Sequence, residues 1–394
     1  MRRRGWRRAV VGLGLILATP ASASAIRLPL LDGNLEGDFT ALQLPGAPPL
    51  HWKLEVIPTG QTGRAATVRI TGAGTDLQAE LRIDGTDAIQ WRLNAGRLDL
   101  VTWFPAVVPL LGPEQAAASA QGAMTVRGEG SWRGGRWTGR AEIEIAGGRF
   151  EDPGGKMTVE GIALKLVLED VGALRSAPGQ IVSWTSARFD TIPLGAGRMT
   201  FAFEGEQVRV ENATAALWGG EVKLAAFAFA ISRMEMSVIA RVIGIDLAQL
   251  LTLLPPVLAE ARGRLDGSFA VRRDSSGLQI GAGRLALQSG EPAELKLAPT
   301  PGLLSGSLPS TVLKYYPGLG QIETGQIPLQ AGLLEVAFTP GGDAEGRTAS
   351  IHLTGGPVDP KLRAPIDLTI NVRGPLESLI KFGTNSRVRF GSGP

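Results

Sequence analysis

Residues Gly244–Leu287 read GIDLAQLLTLLPPVLAEARGRLDGSFAVRRDSSGLQIGAGRLAL, and the change of period inside them decides the fold class. Asp246 is suited to cap a helix, because its carboxylate accepts a free first-turn N–H. Leu247, Leu250, Leu251 and Leu254 then fall at i, i+3, i+4 and i+7, the apolar stripe of a short helix. Pro255 and Pro256 break or kink it, and Leu258 extends the stripe beyond them. After Gly263 the period becomes two: Leu265, Phe269 and Val271 are spaced by even steps, with Asp266, Ala270 and Arg272 between, and Gly267 interrupts as a bulge or flattening point. Asp274-Ser275-Ser276-Gly277 is turn chemistry. Leu278, Ile280, Ala282, Leu285 and Leu287 form return strands around Gly281 and Gly283.

The same two-residue alternation extends in both directions. Upstream, Trp52, Leu54 and Val56 suggest a first strand. Ala66–Ile70, Leu77–Ile83 and Ile89–Leu93, with Leu98 and Leu100, then form a meander of half-buried antiparallel strands. Trp103–Leu111, holding Pro105 and Pro109, reads as a short helix or a plug at the sheet edge, and Glu114–Gln121 as an exposed loop. Strands resume with Ile143 and Ile145, then Ile162, Leu164, Leu166 and Leu168, then Ile181–Phe189, Phe201 and Phe203, and Val208 with Val210. Leu224 is followed by Phe227 and Phe229 after a phase slip at Ala225-Ala226 that suggests a bulge, and Met234–Val242 leads into the helix. Downstream, Ser310–Tyr316 reads as a short helix. Val336 and Phe338 pair with Ile351 and Leu353 in a hairpin, and Ile366, Leu368 and Ile370 give the cleanest alternation in the chain. Pro375 can start a last helix, Leu376–Phe382. The expected fold class is mainly β: an elongated, curled antiparallel sheet forming an apolar groove, with a few short helices.

Composition narrows the function classes. The 394 residues include 53 Gly and 26 Pro, too many for a helical protein, while 44% hydrophobic content argues against low-complexity disorder. Arg2, Arg3, Arg4, Arg7 and Arg8, the apolar run Ala9–Ala18 and the small residues Ala21–Ala25 make residues 1–25 a cleavable secretory signal. Taking those five arginines from 40 basic residues leaves 35 against 37 acidic ones, a net charge of −2. Nucleic-acid binding thereby loses its electrostatic basis. No later segment has the roughly 18 uninterrupted apolar residues of a spanning helix. Without cysteine there is no disulfide, thiolate metal site or cysteine nucleophile.

Catalytic groups are poorly supplied. His51 and His352 are far apart and read as strand residues, and no metalloprotease, nucleophile-elbow or P-loop motif occurs. Glu142 and Glu144, about 7 Å apart on one strand face, could serve as an acid/base pair, but their alternation with Ala141, Ile143 and Ile145 fits a solvated face. The expectation is no enzyme, no catalytic residue, no cofactor and no metal. The apolar face carries the signal. Alternation alone leaves two destinations for it: burial against a second sheet, or an open groove whose lining meets lipid tails.

The order "apolar helix, then G-x-L-x-G-x-hydrophobic, turn, G-L-x-I-x-x-G-x-L" over Gly263–Leu287 resembles the YdbH-like family of the AsmA-like superfamily. Gly219-Gly220-Glu221-Val222-Lys223-Leu224 resembles the glycine pair and strand before that helix. Ala364–Val372 with Leu376–Phe382 resembles the closing strand and helix. The resemblance spans about residues 136–394. It implies a periplasmic, apolar-lined β groove that moves phospholipid between the inner and outer membranes. The lining expected from it is Ile143, Ile145, Ile162, Leu164, Leu166, Leu168, Phe201, Phe203, Leu224, Phe227, Phe229, Val336, Phe338, Ile351, Leu353, Ile366, Leu368 and Ile370. Partners are phospholipid, both membrane surfaces and another envelope protein. The alternative is a structural or assembly protein of the envelope that binds a partner through a sheet edge. The expected segments are a signal at 1–25, an N-terminal β segment at 26–122, the β-groove segment at 123–382 and a flexible tail at 383–394.

Overall fold

A computed structural model describes residues 33–373, apart from 40–46, 60–62, 85–87, 112–114, 135, 190–191, 232, 234, 251–257, 275–276, 303–304, 307–308, 317, 343, 345, 360 and 363–364. The signal segment, the helix Leu376–Phe382 and the tail lie outside the described residues. Among the described residues strand accounts for 70% and helix for 8%, the mainly β antiparallel class that the alternation predicts. The strands begin with β1 (Gly33–Phe39), β2 (Leu50–Thr59), β3 (Gly63–Gly72), β4 (Thr75–Asp84), β5 (Ala88–Asp99), β6 (Ser119–Arg133), β7 (Arg136–Asp152) and β8 (Met157–Asp170). Next come β9 (Arg175–Ser176), β10 (Gln180–Trp184), β11 (Ser186–Phe189), β12 (Ile192–Leu194), β13 (Gly197–Glu204), β14 (Gln207–Leu217), β15 (Gly220–Leu224) and β16 (Phe227–Ala230). The last are β17 (Met236–Asp246), β18 (Leu258–Arg262), β19 (Arg264–Asp274), β20 (Gly277–Leu287), β21 (Ala293–Leu297), β22 (Leu329–Phe338), β23 (Arg347–Pro357) and β24 (Ile366–Arg373). Short helices are α1 (Leu100–Leu111), α2 (Leu247–Leu250), α3 (Ser310–Tyr315) and α4 (Gly318–Glu323).

The chain forms two compact units. The first comprises residues up to Ala213 with Ala226–Met236 and Arg273–Gly277. The second comprises Thr214–Ala225, Ser237–Arg272 and the residues from Leu278 on. In the first unit β1 to β8 pair in chain order as one antiparallel meander, and β8 continues to β10, which pairs with β13. In the second unit β15 pairs with β17, and β18, β21, β22, β23 and β24 form a ladder. Its core holds Leu295, Leu329 and Ala331, at 1%, 2% and 0% exposure, and Ile322 of α4 is wholly buried.

Several local expectations need correction. The Asp246 cap forms, with Ala248 N–H donating to Oδ1 at 2.9 Å. Described helix, however, ends at Leu250, and the double proline lies outside the described residues. Leu258 does not extend the helix; it opens β18, where it pairs with Leu297 while Ala261 pairs with Leu295. Cross-strand partners take the backbone groups a helix would have paired within itself. Ile181–Phe189 is two strands. Thr185 sits between them and donates its N–H to the Glu160 carbonyl at 3.0 Å. The slip at Ala225-Ala226 is a change of partner rather than a bulge, because β15 pairs with β17 and β16 with β14. Leu100 begins α1 instead of ending a strand, and Ser119–Gln121 belong to β6 rather than a loop. α4 had no visible period in its Pro/Gly-rich surroundings.

Candidate apolar trough

The register of the first unit lines its apolar side chains into rows that cross the ladder. One runs Trp52, Ile70, Leu77, Gly96, Val126, Ile143, Leu166. A second runs Leu54, Val68, Ala79, Leu93, Gly128, Ala141, Leu168. A third runs Leu98, Met124, Ile145, Leu164, Val182, Met199. The opposite face is charged, with cross-strand ion pairs Arg69–Asp76, Arg92–Glu129, Arg127–Glu142 and Lys165–Glu144. The two-residue period sets the faces along each strand, and a bulge on β5 shifts the phase, so that the rows take Gly96 and Leu93, three residues apart.

Along these rows the apolar face changes character. Between β2 and β6 it is more deeply buried, with Trp52, Leu54, Val68, Leu81 and Met124 partly exposed. Leu50, Ile70, Leu98, Ala79 and Trp91 belong to one buried cluster, which Trp103 and Ala106 of α1 join. Asp99 starts α1 by accepting the Val101 N–H at 3.1 Å. A buried polar anchor of α1 is the Trp103 indole N–H, which donates to Thr75 Oγ1 at 2.7 Å. This is the plug expected from Trp103–Leu111, seated on the sheet.

From β7 to β13 the face is half open. Ala141, Leu166 and Leu168 form its floor, and Ile143, Leu164, Phe201, Phe203 and Val171 pack against them. Floor residues are 5–9% exposed, whereas those five are only partly buried. Six predicted lining residues thus meet in one patch. Ile145 adjoins it through its pairing with Leu164, and half-buried Ile162 lies two residues before Leu164 on β8. Four strands at ~4.8 Å spacing make this patch about 14 Å across. The expected lining left out Val182 and Met199, which complete the third row, although alternation puts Met199 on one face with Phe201 and Phe203. Ile181 and Val182 are both apolar, so alternation could not choose between them. The register places Ile181 against Lys165 on the charged face, where it is 52% exposed.

The remaining predicted residues lie elsewhere. Phe227 and Phe229 stack with ring centroids 6.1 Å apart and pair with Val210 and Val208, still in the first unit. Leu224 pairs with Ala240 in the second unit. There Val336 pairs with Ile351, Ile351 with Ile370, and Leu353 with Leu368, while Phe338 faces Ala349 and Ile366 faces Gly355. Leu353 and Ile366 are buried; Val336, Phe338, Ile351 and Leu368 are half-buried. Of Ile370 only the strand position is described.

The polar candidates sit on the solvated face. Glu142 is ion-paired with Arg127 and Arg140, and Glu144 with Arg127 and Lys165. His51 hydrogen-bonds Asp38 and His352 hydrogen-bonds Asp367, each at 3.0 Å and exposed. Among the described residues no helix is long and apolar enough to cross a membrane.

The profile of the YdbH-like family, described as intermembrane phospholipid transport protein YdbH, matches residues 16–306. That span takes in the N-terminal meander and the whole apolar patch, begins well before the expected residue 136 and stops before β22, so the closing strand Ala364–Val372 lies outside it. No curated protein and no solved structure matches the chain. The chain belongs to the YdbH-like family.

Proposed function

We propose, with membership of the YdbH-like family as the premise, that this protein is a non-enzymatic periplasmic carrier of phospholipid between the inner and outer membranes. Residues 1–25 serve as its export signal. The supporting observation is the half-open apolar patch on β7, β8, β10 and β13 beside a more deeply buried stretch of the same face. Acyl chains lie on Leu164, Leu166, Phe201 and Phe203 while the headgroup stays in water. Each CH₂ taken from water contributes about 0.8 kcal/mol, so a chain of a dozen or more carbons is held without any charged contact. No bond is made or broken.

A photo-crosslinkable residue at Leu166 or Phe201 should trap phospholipid in cells, and mass spectrometry of gently purified protein should find the same lipid. A lipid-free protein with no adducts at either position would overturn the reading. A second reading, an envelope assembly protein, is favoured by one observation: among the described residues β24 pairs only with β23, leaving its other edge for a partner strand. Crosslinks from β24 that trap protein, with none of lipid from the trough, would select it.

A further inference from the structure

The third apolar row does not end at the trough. It continues from Val182 and Leu164 through Ile145 to Met124 and Leu98, into the cluster that α1 joins. The two clusters also share Ile143 and Val171, so the surface is continuous. What separates its half-open part from its more deeply buried part is α1, an unusual cover. Its sequence LVTWFPAVVPLL carries no charge and holds two internal prolines. Each proline removes a backbone donor from the helix, so α1 is weak as a helix and depends on packing. Val101 and Val107 face outward at 56% and 41% exposure. The helix is therefore apolar on both sides, suited equally to the sheet and to lipid. At its edge Phe104 meets Phe150 of β7, with centroids 5.8 Å apart.

From this geometry we infer that the face beneath α1, around Leu98 and Met124, is a second acyl-chain seat that α1 occupies in the state described. Lipid entering it displaces the helix and continues along the same row. This rests on the trough reading, since a chain must first lie on β7–β13.

A photo-crosslinkable residue at Met124, compared with one at Val182 on the same row, tests the seat. Purified protein would be incubated with vesicles of phosphatidylethanolamine and phosphatidylglycerol. Both positions should trap phospholipid. Tethering Phe104→Cys to Phe150→Cys with a short bis-maleimide should cut Met124 adducts at least about fivefold and leave Val182 adducts unchanged; the chain has no cysteine to interfere. Thr75→Val, which removes the acceptor of the Trp103 indole, should raise Met124 adducts in the untethered protein. Adducts at Val182 but none at Met124, or Met124 adducts indifferent to the tether, would overturn the seat and leave the trough standing. Absence of adducts at Val182 as well would remove the trough reading and the seat with it.

Discussion

Gly130 and Gly139 face each other across β6 and β7, and the Trp91 ring lies over that gap. A Cβ on Gly130 would fall 2.1 Å from the Thr138 carbonyl oxygen and 2.8 Å from the Trp91 ring. Gly130→Ala should therefore cost about 1–3 kcal/mol in denaturant unfolding, an overpacking penalty at a position with no helix or turn to blame. Glu260 gives a residue-level pH test. It accepts a hydrogen bond from Lys296 Nζ at 2.9 Å across β18 and β21, and that bond and the ammonium charge lower its pKa below the ordinary glutamate range. A depressed folded-state pKa means the contribution is present above the unfolded-state pKa and is lost as pH falls through the folded value. Glu260→Gln should make stability fall less steeply than wild type on the acid side of that range. The difference should shrink in high salt, because Glu260 is exposed and Lys296 only half-buried. Equal acid slopes at low salt would count against it. Sequence reading put Glu260 in the helix that Leu258 was expected to extend, and only the register of β18 brings it opposite Lys296.

At the scale of elements, strands were largely legible and their junctions were not. Ile162–Glu169, Met199–Glu204 and Ile366–Val372 alternate cleanly and are strands, because a half-buried strand imposes period two on its side chains. At Thr185 the chain keeps β8 on one side and exchanges β13 for β12 on the other, Ala225-Ala226 is a change of partner, and α4 is held by the burial of Leu319 and Ile322. Neither leaves a periodic trace. The trough itself is an element-scale object. Phe201→Ala should lower co-purified phospholipid several-fold. It should cost about 1–2 kcal/mol of stability, less than a fully buried Phe because the ring is only half-buried. Arg198→Ala, at an exposed position of the same strand, should leave both unchanged. In α1, Pro105→Ala at an exposed position restores one backbone donor. It should slow amide exchange through the helix and raise stability by about 1 kcal/mol; unchanged exchange would show that packing alone sets its order.

For the whole molecule, the 394 residues carry a net charge of only +3, and in the proposed function capture of cargo rests on apolar area. Phospholipid retention should hold or strengthen as salt rises to about 0.5 M, since salt screens exposed charges and does not weaken apolar burial. A steep loss of bound lipid with salt would point to headgroup electrostatics. The sequence alone determined the antiparallel β class, which face of each clean strand is apolar, the Asp246 cap and the family, because all four are written in local spacing and motif order. Only the tertiary structure decided where the apolar face is more deeply buried and where it stays half open. That depends on α1 seating Trp103 against Thr75, and on a register that carries Leu98 through Met124 and Ile145 to Leu164. Alternation tells a side chain which way to point; what it meets there is set by residues distant in the chain.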